Sequence, residues 1–287
     1  MQSAGRLKDL LARRAAVTVP GAANALFARV IEDLGFEAVY VTGAGVANML
    51  LGVPDIGLTT LTEISETVAA IADVVSLPII VDADTGYGNA VNVLRTVRAL
   101  ERAGASGIQI EDQVFPKRCG HFAGKAVIAA EEMVQKIKAA VDARHDSSLQ
   151  IIARTDARAM EGLERALDRA LVYIAAGADA TFVEAPTNLE ELARIPKALH
   201  VPQVANIVFG GETPDLGRDK LAELGFSIVL YANAALQAAL KASYDVLGVL
   251  KSEGSLQSVA DRLASFEERQ RAVAKEEWDA REARYRV

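Results

Sequence analysis

One complete unit of the fold can be read in residues 78–112, PIIVDADTGYGNAVNVLRTVRALERAGASGIQIED. The apolar stretch Pro78–Val81 is typical of a buried β-strand, because proline is tolerated at a strand's first position. A helix is predicted over Asn89–Ala103, since its first residue can cap the first turn and its apolar residues recur at helical spacing. Gly104 suits the left-handed conformation in which helices often end. A second strand, Ile108–Glu111, follows and completes a β–α–β unit.

The same unit recurs along the whole chain. The predicted strands are Ala16–Val19, Ala38–Thr42, Pro78–Val81, Ile108–Glu111, Leu149–Ala153, Thr181–Glu184, Pro202–Ala205 and Ser227–Tyr231. They are short and apolar, as expected of a parallel sheet buried on both faces. Eight such units in 287 residues predict an α/β fold, the closed (β/α)8 barrel of the TIM type. A doubly wound open sheet is the alternative, although no Gly-x-Gly-x-x-Gly follows the first strand.

Two helical segments, Ala234–Leu250 and Leu256–Arg286, follow the eighth strand, and the second mixes charges of both signs. A barrel already has its eight helices by that point. We therefore predict a barrel domain over residues 1–250 and a helical extension over residues 251–287 that packs outside the barrel or against another subunit. A solvated helical tail is the alternative.

Composition excludes several classes of protein. The chain is 51% hydrophobic and carries a net charge of −7, so a nucleic-acid partner is not expected. No apolar run reaches the roughly 18–20 residues of a membrane span. The single cysteine excludes an internal disulfide and fits a reducing compartment. Met1–Ala16 contains Asp9 and only one serine, which favours an ordinary first helix over a transit peptide. A cytoplasmic location is therefore expected.

Acidic residues stand where the predicted strands end, which is where a barrel carries its active site. Asp82 and Asp84 are two residues apart and point the same way in an extended segment, so their charges need a cation or a shared proton. Glu111 and Asp112 follow strand four, and Glu184 ends strand six. Oxygen ligands without a histidine cluster favour Mg²⁺ or Mn²⁺ over Zn²⁺. The alternative is that these acids are helix caps and first-turn charges.

A loop of about twenty residues separates strand four from a helix predicted to start near Glu131, and it contains Lys117-Arg118-Cys119-Gly120-His121. Long loops with glycines are often lids. Cys119 stands beside two cations and near a histidine, a setting that lowers a thiol's pKa and suits acid–base catalysis. An inert cysteine is the alternative, and His121 by itself favours neither.

Two further groups suit anion binding. Arg154, at the end of strand five, can bind a carboxylate or phosphate with two hydrogen bonds, or pair with the neighbouring acids. Strand two contains Tyr40 and ends in Thr42-Gly43-Ala44, whose backbone N–H groups could face an anionic oxygen. A plain glycine-rich turn is the alternative there.

These residues together resemble the isocitrate lyase and phosphoenolpyruvate mutase superfamily over nearly the whole chain. The most specific segments are Asp82-Ala83-Asp84-Thr85-Gly86-Tyr87-Gly88 and Lys117-Arg118-Cys119-Gly120-His121. The second segment resembles the lyase branch rather than the phosphonate mutases, the phosphonopyruvate hydrolases or the oxaloacetate decarboxylase relatives.

The resemblance implies a role for each site residue. Mg²⁺ would bind at Asp82, supported directly or through water by Asp55, Asp84 and Glu111. Arg154 and Thr42-Gly43-Ala44 would hold the carboxylate of the α-keto half, and Asn206 and Glu184 would line the pocket. It also implies a homotetramer in which an extra C-terminal helix is exchanged between neighbouring subunits.

The implied reaction is magnesium-dependent cleavage of a 2-hydroxy di- or tricarboxylate to an α-keto acid such as pyruvate and a second carboxylic acid. Tyr40 is a candidate participant in proton removal, and Cys119 would act as general acid in a loop that also carries Lys117, Arg118 and His121. Apolar residues after Asn206, with Phe122 after His121, favour a 2-alkylmalate over 2-methylisocitrate. The alternatives are a phosphonate mutase, an oxaloacetate hydrolase or decarboxylase, and a non-catalytic metal-binding barrel.

Overall fold

The computed structural model describes residues 2–118 and 124–286 of the chain. The strands are β1 Val17–Ala22, β2 Val39–Val41, β3 Ile79–Asp82, β4 Gly107–Glu111, β5 Gln150–Thr155, β6 Ala180–Val183, β7 Gln203–Asn206 and β8 Ile228–Tyr231. The α-helices are α1 Gln2–Ala12, α2 Ala25–Asp33, α3 Gly43–Val46, α4 Leu61–Ala72, α5 Ala90–Ala103, α6 Ala130–Ala143, α7 Arg158–Glu161, α8 Leu163–Ala175, α9 Leu189–Ala198, α10 Arg218–Leu224, α11 Ala234–Glu253, α12 Phe266–Ala272 and α13 Lys275–Tyr285. A π-helical turn spans Ala47–Leu51 and a 3-10 helix spans Gln257–Arg262. The strands pair in parallel in sequence order, and β8 pairs with β1 to close the barrel.

The closed barrel predicted from the sequence is confirmed, and the open sheet is wrong. Each predicted strand is present, and its ends differ from the observed ones by at most three residues. The largest difference is in β1, which pairing with β8 and β2 carries through Pro20 to Ala22. Glycine is required at Gly21, since a Cβ there would lie 1.9 Å from the carbonyl oxygen of Ala232.

The unit around α5 forms as its sequence dictates. The Asn89 side chain accepts hydrogen bonds from two N–H groups in the first turn. Val93, Val97 and Leu100 are fully buried and pack against the barrel. Gly104 ends the helix with a φ of 110°, a conformation that other residues resist.

The first helix predicted over Met1–Ala16 is present as α1 and closes one end of the barrel. Leu7, Leu10 and Leu11 belong to the same buried cluster as the side chains of the barrel interior. Gly107 begins β4, and a Cβ there would lie 2.7 Å from a methyl carbon of Leu7. Because α1 fills the end where strands begin, a site can open only where they end.

Strand register brings polar residues together at that open end. Asp82 pairs with Gln109 across β3 and β4, and Glu111 pairs with Arg154 across β4 and β5. Gln109 and Glu111 are two residues apart and therefore face the same side of β4. Parallel pairing thus places four polar side chains next to one another in the barrel mouth.

The helical segments after the barrel leave apolar surface exposed. Three large side chains on α11, Leu240, Tyr244 and Leu247, are 54%, 74% and 60% exposed. The segment predicted over Leu256–Arg286 consists of the 3-10 helix, α12 and α13, and not of one helix. The division at residue 250 and the exchange between subunits stay predictions. No helix in the described part of the chain is long and apolar enough to cross a membrane.

Candidate active site

Two carboxylates at the end of β3 form a buried anionic cluster. Asp82 is the last residue of β3, and Asp84 follows with a left-handed backbone, φ 46°. One oxygen of Asp82 accepts the backbone N–H of Asp84 at 3.1 Å, and the other accepts that of Gly43 at 3.4 Å. A Cβ on Gly43 would lie 3.2 Å from an oxygen of each acid. Glycine thus lets the chain after β2 approach both carboxylates.

Lys117, from the loop after β4, is the counter-ion of this cluster. Its Nζ lies 2.8 Å from Asp84 Oδ1 and forms a second ion pair with Asp55. Burial alone would lower the pKa of Lys117, but the charges of Asp84, Glu111, Asp82 and Asp55 outweigh burial and raise that pKa well above its usual value. Burial, although opposed by Lys117, combines with the neighbouring acids to raise the pKa of Asp84 to about 7. The carboxylates therefore still lack positive charge.

Gln109 is a site residue that the sequence reasoning missed. Its side-chain oxygen accepts the Tyr40 hydroxyl at 3.0 Å, and its amide nitrogen lies 3.4 Å from an oxygen of Asp82. Burial, reinforced by the charge of Asp82, raises the pKa of Tyr40 well above its ordinary value, so the phenol stays protonated. Gln109 could have been found from its position two residues before Glu111, because residues at that spacing in a strand face the same side.

Arg154 lies on β5 among three carboxylates. Its Nε and Nη2 donate to the two oxygens of Asp156 at 2.9 and 3.1 Å. The same side chain lies 3.3 Å from Glu111 Oε2 and 3.9 Å from Glu184 Oε2. Its guanidinium carbon lies 5.1 Å from the centre of the Phe182 ring. The sequence suggested that Arg154 either binds an anion or pairs with neighbouring acids. The structure is compatible with both roles, because the acids hold the side chain in place while it also lines the cavity.

The second acid after strand four does not join the site. Asp112 accepts the Thr155 hydroxyl at 2.7 Å and the Tyr173 hydroxyl of α8 at 2.8 Å. It faces the helix layer because successive residues in an extended segment point to opposite sides. The expectation that Glu111 and Asp112 both contribute is therefore wrong for Asp112.

One cavity collects most of the predicted residues. It is lined by Tyr40, Thr42, Ala44, Asp55, Asp82, Lys117, Arg118, Arg154, Phe182, Glu184, Asn206, Val208, Leu230, Ala232 and Asn233. Thr42 caps α3 and donates its hydroxyl to the side-chain oxygen of Asn233 at 3.2 Å. The buried oxygen of Asn206 has no hydrogen-bond partner among the described residues. It is therefore available to a ligand. Sequence reasoning missed Asn233, which stands two residues beyond β8 with no pattern to mark it.

The donor set fits a hard divalent cation. Glu111 Oε1 is buried and has no hydrogen-bond partner among residues 2–118 and 124–286. Burial, opposed by Arg154, raises the pKa of Glu111 well above its ordinary value. A cation beside Asp82 and Asp84 would supply the missing positive charge. Within those same ranges, no three His, Cys, Asp or Glu side chains converge as a complete metal site. Magnesium, which keeps several waters and needs only one or two carboxylates, suits this arrangement.

Cys119 and His121 lie outside the described residues, so the structure gives no position for either. The stems of their loop are described, and Gln113 pairs with Val127 in an antiparallel bridge. The Gln113 side chain also binds the backbone N–H and C=O of Arg118, at 2.9 and 2.8 Å. This clamp fixes Arg118 at the cavity.

Comparison with known proteins gives consistent matches over the whole fold. The family model described as phosphoenolpyruvate phosphomutase matches residues 7–250. The chain is 46% identical over 268 residues to 2,3-dimethylmalate lyase of Eubacterium barkeri, covering 93% of each protein. It is 45% identical over 277 residues to 2-methylisocitrate lyase of Aeropyrum pernix, covering 96% of this chain and 89% of the relative. The crystal structure of phosphonopyruvate hydrolase with oxalate and Mg²⁺ superposes with a TM-score of 0.90 at 33% identity, covering 99% of both chains.

Replacing Lys117 with methionine should lower the free energy of unfolding by about 3–5 kcal/mol, because it leaves buried acids without their counter-ion. Losing the lysine charge also moves the Asp84 pKa above about 7. In both proteins the folded state binds this proton more tightly than the unfolded state, so stability falls as the pH rises from the ordinary value of 3.8 to the raised folded pKa. The fall is larger in the variant because its folded pKa is higher. Urea unfolding at several pH values measures both effects.

The control is Lys220→Met, which breaks a surface pair with Glu223 whose side chains are 47% and 67% exposed. That change should alter stability by at most about 1 kcal/mol. Equal losses in the two variants would contradict the role of Lys117 as the counter-ion.

Proposed function

Because the chain belongs to the phosphoenolpyruvate mutase and isocitrate lyase superfamily, we propose that it is a magnesium-dependent carbon–carbon lyase. Its substrate is a 2-hydroxy di- or tricarboxylate, which it cleaves to an α-keto acid such as pyruvate and a second carboxylic acid. The observation that carries this proposal is the register pair of Glu111 and Arg154. It sets an acid cluster suited to a metal directly beside a cation suited to a carboxylate.

Asp82 would hold the Mg²⁺ ion, with Asp84, Asp55 and Glu111 supporting it directly or through water. Mn²⁺ can take the same oxygen ligands. The bound ion would lower the cost of deprotonating a substrate hydroxyl. The raised pKa values of Asp84 and Glu111 support this assignment, because both acids lack a positive neighbour strong enough to offset burial.

The substrate carboxylate would bind between Arg154 and the Thr42-Gly43-Ala44 turn, and Glu184 and Asn206 would contact the rest of the molecule. Arg154 is suited to this because two of its nitrogens are already fixed by Asp156. Asn206 presents a buried oxygen that can accept a hydrogen bond from a substrate hydroxyl.

Cleavage needs one proton removed and one added. The hydroxyl proton passes to a general base, for which the acid cluster of Asp82, Asp84 and Glu111 supplies carboxylates. The carbon–carbon bond then breaks to form the keto group, and its electron pair passes to the second product as an enediolate. Cys119 then protonates that carbanion, with Lys117, Arg118 and His121 beside it in the sequence. Tyr40 stays a neutral phenol in its buried position, so we assign it as a hydrogen-bond donor and not as the base.

The apolar side of the cavity favours a 2-alkylmalate substrate. Val208 lines the cavity where a third carboxylate would need a hydroxyl partner. The relatives named 2,3-dimethylmalate lyase and 2-methylisocitrate lyase differ by only one percentage point in identity, 46% against 45%. The proposed preference therefore rests on the residues of the pocket and not on sequence identity.

A coupled keto-acid assay tests the function. We expect the highest kcat/KM with 2,3-dimethylmalate or another 2-alkylmalate, a lower value with 2-methylisocitrate, and loss of turnover when a chelator removes the metal. Added Mg²⁺ or Mn²⁺ should restore activity, because the acids bind hard cations. Conversion of phosphonopyruvate would instead support a mutase, and oxalate release from oxaloacetate would support a hydrolase. Metal binding without any turnover would leave a non-catalytic barrel.

Cys119→Ser tests the general acid. We expect kcat to fall by about 10²–10⁴-fold, since a serine hydroxyl is a far weaker acid than a thiol. Circular dichroism and Mg²⁺ affinity should stay unchanged. Because the chain has a single cysteine, alkylation with iodoacetamide should inactivate the enzyme at one label per chain. Near-normal turnover in either experiment would remove Cys119 from this role.

The exposed apolar face of α11 supports a homotetramer with helix exchange between subunits. We expect a solution mass of four times the 30.5 kDa chain by sedimentation. A Leu240→Glu/Leu247→Glu double variant should dissociate, because it puts charges into an apolar contact. Lys241→Gln, on the same helix, should stay assembled. A wild-type monomer would contradict the assembly.

A further inference from the structure

Asp156 makes more charged contacts than a helix-capping acid requires. Its carboxylate is completely buried. Both oxygens accept from Arg154, at 2.9 and 3.1 Å, and Oδ1 also accepts from Lys125 Nζ at 3.0 Å. Burial opposes its ionisation, but the charges of Arg154 and Lys125 outweigh burial and lower the pKa of Asp156 below its ordinary value. One carboxylate is thus the shared counter-ion of two buried cations.

The two cations come from different parts of the active site. Arg154 lies on β5 and lines the cavity, whereas Lys125 belongs to the second stem of the loop after β4, residues 124–128. That stem is joined to the first by the Gln113–Val127 bridge. The side chain of Lys125 is only 4% exposed, so its ion pair with Asp156 is shielded from salt and water. Asp156 therefore links the loop stem to the barrel.

Asp156 is itself held rigidly by a network behind the site. Its backbone N–H donates to Asp112 Oδ1 at 2.9 Å. The other oxygen of Asp112 is bound by the hydroxyls of Thr155 and Tyr173. Arg169 of α8 lies 3.6 Å from that same oxygen. This network ties the end of β5 to α8, so Asp156 has little freedom to follow a moving partner.

We propose that Asp156 is a positioning residue that sets the direction of the Arg154 guanidinium and seats the loop stem through Lys125. The Arg154 part rests on the proposed function, while the Lys125 part does not. Without the Asp156 charge, the remaining acids near Arg154 are Glu111 at 3.3 Å and Glu184 at 3.9 Å. Arg154 would turn toward them and away from the substrate carboxylate. Lys125 would lose a buried partner, and the stem would detach more readily.

Two variants separate these effects. Asp156→Asn keeps the shape and removes the charge, so KM should rise about tenfold and kcat should fall on the order of 10²-fold, as expected when a binding group is misplaced. Lys125→Met leaves the Arg154–Asp156 pair intact, so KM should stay within about twofold. Unchanged KM and kcat in Asp156→Asn would overturn the positioning of Arg154.

Limited trypsin digestion without substrate tests the stem independently of any activity. Cleavage after Arg118, followed by mass spectrometry, should be about tenfold faster in both variants, because the stem opens more often. The double variant should cleave no faster than either single variant, since both remove the same contact. Wild-type cleavage rates in Asp156→Asn would overturn the seating of the stem, whatever the enzyme's substrate proves to be.

The control is Asp179→Asn at the opposite end of the barrel. Asp179 is also paired with an arginine, Arg144 at 2.7 Å, and it accepts the backbone N–H of Ile151 at 2.8 Å. This variant should lose stability without faster cleavage after Arg118 and without a change in KM. Matching effects in Asp179→Asn and Asp156→Asn would reduce Asp156 to a structural ion pair and overturn the proposal.

Discussion

Burying a charge without a partner costs much free energy, and this cost determines how the side chains are arranged where the barrel strands end. Parallel strands in one closed register bring Asp82, Asp84 and Glu111 into a single protected space. Charges at such distances repel strongly unless positive groups lie between them. Lys117 and Arg154 supply part of that compensation, and the proposed magnesium ion would supply the remainder. The loop after β4 is thus tied to the barrel by electrostatics as well as by backbone pairing.

This constraint explains why the two cations are not equivalent. Lys117 reaches into the acids from outside the barrel, on a loop whose described stems pair around the Gln113–Val127 bridge. Arg154 is part of a strand and is gripped by Asp156. A strand-borne cation keeps a fixed direction and suits recognition of a substrate group. Lys117, by contrast, is held by its ion pairs with Asp84 and Asp55 and not by strand pairing.

Much of this arrangement could be predicted from the sequence, because strand ends in a barrel converge whatever the details of packing. The acids after β3, Glu111 and Arg154 were found in this way. Gln109 and Asp156 were not. A glutamine inside an apolar strand looks like an occasional polar core residue, and an acid just past a strand looks like a helix cap. The role of Gln109 depends on the register that places it opposite Asp82, and the role of Asp156 depends on Lys125, which the folded loop stem brings to it. Neither contact can be read from one sequence.

Alternation of side chains along a strand separates the acids that face the site from those that face the helix layer. Glu111 faces Arg154, which lines the cavity, and the next residue, Asp112, faces α8. On β5 the order is Arg154 toward the cavity, Thr155 toward Asp112, and Asp156 back toward Arg154. Inward acids meet the cations of the site, and the outward acid holds the strand ends to the helix layer. Alternation therefore gives a rule for interpreting strand ends. An acid an even number of residues from a known site residue faces the site, and the acid next to it packs against the helix layer behind the site.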